Sequence, residues 1–278
     1  MMPMEPMRPV VAGIDETDAS MSALDLAAEE AAARLTPLVI VSAHPAGRSQ
    51  LDMEHGLLGI AVSRVLADHP GLAAGMRLIA GEPSRVLVAQ SRGALLLVVG
   101  HEDVLGSPAP PGGSVAARVV DGSACPVIVY RPVDPERETA HPRPVLVGVD
   151  GHAGSDHVVE FAFQEAALRG APVWGVHVWP GSGADGVIAG GAIGRQQAAR
   201  LHEAMDTWSA KYPEVPTRRH LMSGRDVARA LTRASLDAQL VVVGSARHHD
   251  PNRPRGGETA RRMIDLAGCP VAVVPLPA

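Results

Sequence analysis

The chain has 278 residues, 46% of them hydrophobic and 20% charged, a balance that excludes a disordered polypeptide and suits two domains better than one core. A net charge of −5 gives no ground for a nucleic-acid partner, and no apolar run approaches membrane-spanning length. Aromatic residues are only 3% of the chain, so the interior must be aliphatic, as in parallel strands buried on both faces.

In chain order, residues 10–14 read as a strand ending at Asp15. A helix follows, with Asp18 or Ser20 as its cap and Met21, Leu24, Ala28, Ala31 and Leu35 at helical spacing. Residues 38–41 form a second strand, 56–68 a helix and 76–80 a third strand. Pro83 suits a first helical turn and opens the helix over 84–93; a strand at 95–99, a helix at 114–121 and a strand at 127–130 complete the set. Residues 132–143 are rich in proline and charge, lack periodicity and read as a linker.

The same order then recurs at 145–149, 156–168, 173–178, 196–211, 218–222, 225–236, 240–243, 258–267 and 271–274. Pro9 to Asp15 (PVVAGID) reappears as Pro144 to Asp150 (PVLVGVD) at an offset of 135, whereas Cys125-Pro126-Val127 reappears as Cys269-Pro270-Val271 at 144. About nine residues have been gained between those anchors, and the glycine-rich stretch from Gly181 to Gly194 is the natural place for them. The chain is therefore a duplication: domains over 8–131 and 144–276, each an α/β unit whose five parallel strands fit a doubly wound order of 3-2-1-4-5, an order that the sequence by itself does not fix. Ligands in such sheets bind past the carboxyl ends of the strands where the order reverses, here between the first and fourth strands.

Charge divides unevenly, with 10 basic and 17 acidic side chains in residues 1–140 and 15 and 13 in the remainder. The two cysteines are neither a disulfide framework nor a zinc site and read as buried apolar residues. With no hydrophobic leader in residues 1–8, the cytoplasm is the expected compartment.

After the fourth strand the first copy reads Gly100, two residues, Asp103, nine residues, Gly113, Ser114; the second reads Gly244, Arg247, Gly257, Glu258 at the same spacing. With the strand-one aspartates Asp15 and Asp150, Gly81-Glu82-Pro83 and Gly224-Arg225-Asp226, and the Cys-Pro-Val strands, this resembles the nucleotide-binding universal stress proteins over nearly the whole chain. That family carries glycine at the positions of Asp103 and Arg247, and serine or threonine at the position of Glu258. The resemblance implies a Rossmann-like, adenine nucleotide alpha-hydrolase-like fold, a regulatory role in stress response, and ATP or another adenine nucleotide as ligand, with magnesium. It places Asp15 near the ribose, the phosphates or their metal ion, Ala43 in the adenine pocket and Val99 near the base. Gly100, Gly113, Ser114 and Val115 would hold ribose and phosphates. The matching second-copy positions are Asp150, Val178, Val243, Gly244, Gly257, Glu258 and Thr259. The family's usual dimer pairs fifth strands, which implies an intrachain pseudo-dimer here and leaves a homodimer open.

The departures favour the first copy, which keeps Gly-Ser. An ionised Asp103 about 5 Å from a phosphate would be repelled by roughly 3 kcal/mol at an effective dielectric near 20, on the order of a hundredfold in affinity. In the second copy Arg247, Arg253 and Arg255 favour an anion, but the Glu258 carboxylate can take its place at the helix start. The alternative is an interaction module of the same fold that binds no nucleotide. Asp15 and Asp150 could equally cap the following helices. His248 and His249 read as exposed, His177 as a hydrogen-bonded core or edge residue, Arg261 and Arg262 as a solvated helix face, and Trp174, Trp179 and Trp208 as packing around the inserted loop. The one lysine, Lys211, lies outside any glycine-rich loop, which excludes a P-loop, and no nucleophile or acid–base pair appears, so turnover is not expected.

Overall fold

Val10, Val11, Ala12 and Ile14 are each at most 5% exposed, so the first strand is covered on both faces, as a parallel strand flanked by helices must be. The computed structural model describes residues 7–44, 51–101, 114–132, 142–150, 155–179, 192–224, 226–245 and 257–277, with the backbone alone for 51–55 and 192. The chain divides into two units, Met1–Tyr130 and Arg131–Ala278.

Unit 1 runs β1 (Val10–Ile14), α1 (Asp18–Ala33), β2 (Leu38–His44), α2 (Leu51–Asp68), β3 (Ala74–Ala80), α3 (Pro83–Ser91), β4 (Leu96–Gly100), α4 (Val115–Gly122) and β5 (Val127–Tyr130). Its strands lie in the order β3-β2-β1-β4-β5, every pairing parallel. Unit 2 runs β6 (Val145–Gly148), α5 (Ser155–Arg169), β7 (Val173–Trp179), α6 (Ala192–Lys211), β8 (Thr217–Ser223), α7 (Val227–Ser235), β9 (Leu240–Ser245), α8 (Glu258–Leu266) and β10 (Val271–Pro275). Its order is β8-β7-β6-β9-β10, again parallel throughout. The doubly wound α/β architecture read from the repeat is thus present in each half. In unit 1, α1 packs on α2 and α3 on α4; in unit 2, α5 packs on α6 and α7 on α8.

Local details correct several expectations. The cap of α1 is Thr17, not Asp18 or Ser20: its backbone is extended (φ −88°, ψ 149°) and its hydroxyl accepts the Ser20 N–H. Leu35 is not on the buried face. It lies past the helix end at φ 53° and is 84% exposed, while the Leu35 and Thr36 N–H groups close the last turn onto Ala32 and Ala31. The second strand of each copy extends further than its aliphatic run, to His44 and Trp179, and α2 and α6 begin earlier than expected, at Leu51 and Ala192.

One polar feature in each core was not anticipated. Glu30 (3% exposed) pairs with Arg34 one turn on in α1, and Glu165 (0%) with Arg169 in α5, an identical arrangement displaced by 135 residues. A buried carboxylate needs such a partner, because an isolated charge in the interior is strongly disfavoured.

Cys125 and Cys269 are 2% and 0% exposed, and burial pushes the Cys269 thiol from 9.0 up to about 12. The folded state therefore keeps a proton that the unfolded chain releases above pH 9.0, so this group's contribution to stability is full below that value and lost on the way to about 12. With thiol-reactive dye at pH 8, we expect the native chain to react far more slowly than the urea-unfolded chain, in which both thiols titrate at once. Rapid native labelling of Cys269 would contradict the packing described. Among the described residues no helix is long and apolar enough to cross a membrane.

Candidate nucleotide site

The sheet order reverses between β1 and β4 in unit 1, where Gly13 pairs with Val99. Asp15 follows directly, exposed, and the β1–β2 register (Ile14 opposite Ser42) brings it level with Ala43. Val99 is 3% exposed and Gly100 ends β4. Ser114 caps α4, its hydroxyl accepting the Ala117 N–H at 3.2 Å, and Val115 is the first helical residue. Asp15, Ala43, Val99 and Gly100 are thereby gathered at the carboxyl end of the sheet. Gly113 and Asp103 lie outside the described residues.

Asp15 turns the chain into α1. Its Oδ1 accepts the N–H of Thr17 (3.0 Å) and the Thr17 hydroxyl (2.6 Å), and its own N–H donates to Ser20 Oγ (3.1 Å). The Ser20 hydroxyl donates back to the Asp15 carbonyl at 2.8 Å. Both readings of Asp15 have a basis here. One carboxylate oxygen organises the turn before the helix, while the other, exposed, makes no hydrogen bond among the described residues.

Gly100 has a structural reason that sequence reading missed. A Cβ built there would lie 2.7 Å from the backbone C and O of Ala19 and from the N of Ser20. The first turn of α1 rests directly on the end of β4, and only glycine leaves room for it.

In unit 2, Asp150 is exposed and accepts the Ser155 hydroxyl at 2.5 Å, and continuing the β6–β7 register brings it level with Val178. Val243 is 3% exposed. Gly244 is less confined than Gly100, its nearest Cβ contacts being side-chain tips of Val158 (3.1 Å) and Leu276 (3.2 Å). Gly257 caps α8 without any side-chain bond, Glu258 is its exposed first residue and Thr259 its second. The two fourth helices thus start differently, one closed by a hydroxyl and the other open but bearing a carboxylate. Arg247, His248, His249, Arg253 and Arg255 lie outside the described residues. His177 is 6% exposed, with Nδ1 2.6 Å from the Val149 carbonyl and Nε2 2.9 Å from Gln197 Oε1, so it is a hydrogen-bonded core residue.

Arg262, read as part of a solvated helix face, has a side chain 39% exposed and also a role that reading did not include. It grips Asp226, the cap of α7, with two parallel bonds of 2.8 Å each, and Asp226 also accepts the Arg229 N–H at 3.0 Å. Unit 1 repeats the pair, with Arg118 donating to Glu82, the cap of α3, at 3.1 Å. The Arg262 hydrogen bonds hold the Asp226 carboxyl below its usual range, and the Ser84 hydroxyl does the same for Glu82. The signal was available, since each member of one pair lies 144 residues from its counterpart, the offset of the strands around it. Trp174 has neighbours in the described residues, while residues 180–191, which hold most of the inserted stretch it was read with, lie outside them. Trp174 packs against β8, with its ring 5.0 Å from His220 and 5.7 Å from the Arg218 guanidinium, and burial beside Arg218 lowers the His220 pKa. Among the described residues no three carboxylate, histidine or cysteine groups converge as a metal set. A magnesium ion, which commonly takes one protein carboxylate plus phosphate oxygens and water, would look to the open oxygen of Asp15.

The model of the universal stress protein family matches residues 6–131 and again 142–275. A universal stress protein of Mycobacterium tuberculosis is 31% identical over 294 residues, covering 95% of each chain. A second from the same species is 30% identical over 286 residues, covering 95% of this chain and 96% of its own. The crystal structure of a universal stress protein from Archaeoglobus fulgidus shares the fold, with a TM-score of 0.69 over 96% of both chains at 17% identity. With the duplicated parallel sheets, these matches establish that the chain belongs to the universal stress protein family, one family domain in each half.

Proposed function

We propose that this chain is a cytoplasmic, regulatory stress-response protein that takes up an adenine nucleotide, ATP with magnesium by preference, at the carboxyl end of the unit 1 sheet. The observation that carries the reading is Asp15. It ends the strand at the reversal point, keeps one oxygen open, and stands level with a residue, Ala43, whose small side chain leaves room for a base. Val99 would pack against the base. The Gly100 end of β4, Ser114 and the first amides of α4 would face ribose and phosphates, the helix start favouring negative charge. Ser114 spends its acceptor on Ala117 and keeps its hydroxyl proton for a phosphate oxygen.

Unit 2 is the weaker candidate because Glu258 stands at the first position of α8, where the helix dipole stabilises its carboxylate in the place a phosphate would occupy. The same observation favours a second reading, in which at least this half is an interaction module without ligand. Turnover forms no part of either reading.

Calorimetry with ATP, ADP and AMP plus magnesium, beside mass measurement of gently released protein, tests the proposal. We expect heat with at least one nucleotide, weakened about tenfold or more by Asp15→Asn, which removes the charge facing a bound cation, and little changed by Asp150→Asn. Absence of heat with all three, together with protein that carries no nucleotide, would overturn it.

A further inference from the structure

In each unit the last two helices are joined at both ends by polar contacts that recur at one spacing. At one end Ser91 and Ser235, both 0% exposed, donate to the carbonyls of Val88 (2.7 Å) and Thr232 (2.6 Å). The same hydroxyls accept the N–H of Ala124 and of Gly268, each at 2.9 Å. At the other end stand Glu82–Arg118 and Asp226–Arg262. Every member of these links lies 144 residues from its counterpart in the other copy.

The two ends differ in kind. The serine link is neutral and enclosed, so salt does not reach it. The carboxylate–guanidinium link has side chains 35–41% exposed, where ionic strength and substitution loosen it without opening the core. The adjustable end is the one at which α4 and α8 begin. Arg118 and Arg262 lie four residues after Ser114 and Glu258, one turn inside each helix start. Their guanidinium groups point to the caps of α3 and α7, and in unit 2 both nitrogens of the fork are committed to Asp226.

We propose that Glu82–Arg118 and Asp226–Arg262 are positioning pairs, each fixing the first turn of α4 or α8 relative to the preceding helix and thereby setting how tightly the amides of that turn can hold a phosphate. Neither arginine touches the ligand. The phosphate half of this statement rests on the nucleotide reading; the ordering of the first turn does not. The pairs are unequal. Arg262 makes a two-point grip, whereas Arg118 makes one contact at 3.1 Å to a carboxylate that also serves Ser84 and Arg85. Arg262 is therefore the stiffer of the two ties, whereas α4 alone has a side-chain cap, the Ser114 hydroxyl, at its start.

Hydrogen exchange on the full chain without ligand provides the first measurement, at low and high salt, for Arg118→Met, Arg118→Lys, Arg262→Met and Arg262→Lys. Exchange should quicken at the amides of Ala117 in α4 and Arg261 in α8 in the Met variants. It should return toward parental rates in the Lys variants, and high salt should reproduce the Met behaviour in the parent. ATP titration of Arg118→Met should show affinity down roughly two- to fivefold, the range expected of an exposed ion pair, and Arg118→Lys should recover it. Unchanged exchange at these amides, or faster exchange spread evenly through the unit, overturns the proposal. So does ATP affinity that ignores Arg118→Met while the first turn loosens. A parent chain that takes no ATP defeats the nucleotide reading alone, and the exchange data still decide whether the pairs order the helix starts.

Discussion

Replacing Gly100 by alanine should cost about 3 kcal/mol of unit 1 stability, the upper part of the range for overpacking. The added carbon would lie 2.7 Å from three backbone atoms of Ala19 and Ser20, and backbone cannot swing aside as a side-chain tip can. Relief requires the first turn of α1 to lift off β4. That turn is held by the Asp15, Thr17 and Ser20 hydrogen bonds, so the strain spreads into the carboxylate that the site depends on. Gly244→Ala, where the nearest contacts are methyl groups of Val158 and Leu276 at 3.1 and 3.2 Å, should cost under about 1 kcal/mol. Urea unfolding followed by circular dichroism checks both. Equal, small losses would mean that α1 does not rest on β4 as described. A large loss in Gly100→Ala would also show that this glycine is demanded by packing before any phosphate is considered.

The second large effect concerns the core of unit 2. Arg169→Ala should destabilise it by about 3 kcal/mol, because the carboxylate of Glu165 would lose a cationic partner one turn away at a position with 0% exposure. Arg64→Ala provides the contrast. Its partner Asp25 and Arg64 itself have side chains 39% and 45% exposed, and the loss should stay below about 1 kcal/mol. Joint replacement of Glu165 and Arg169 by leucine should recover most of the deficit, since burying the charges has its own penalty. If Arg169→Ala unfolds no more easily than Arg64→Ala, the pair contributes nothing that solvent could not supply.

Architecture was legible because the chain is written twice. Two offsets, 135 and 144, bracket one insertion, and aliphatic runs at matching places can only be strands of matching sheets. The same logic brought Asp15, Ala43, Val99 and Gly100 to one end of the sheet. What escaped were choices made between chemically similar neighbours or across long separations. Asp15, Thr17, Asp18 and Ser20 all suit a helix cap, and only the extended backbone at Thr17 decides among them. Leu35 fits the helical stripe, yet the chain leaves the helix one residue earlier and turns it outward. Arg118 and Glu82 are 36 residues apart, too far for local pattern to join them. Gly100 looked like a phosphate glycine because the constraint on it, the backbone of Ala19, belongs to a segment eighty residues earlier.

Trp174, lodged beside His220 and Arg218, and Trp208, 4.6 Å from the Lys211 ammonium, have a practical corollary. The indoles at 174, 179 and 208 are the full complement of the chain, so tryptophan emission, excited beyond the tyrosine band, originates in one half of the molecule, and Tyr130 of the other half does not contribute to it. Emission and helical ellipticity therefore follow different populations during denaturation, and the gap between the two curves is itself a readout of whether the halves melt together.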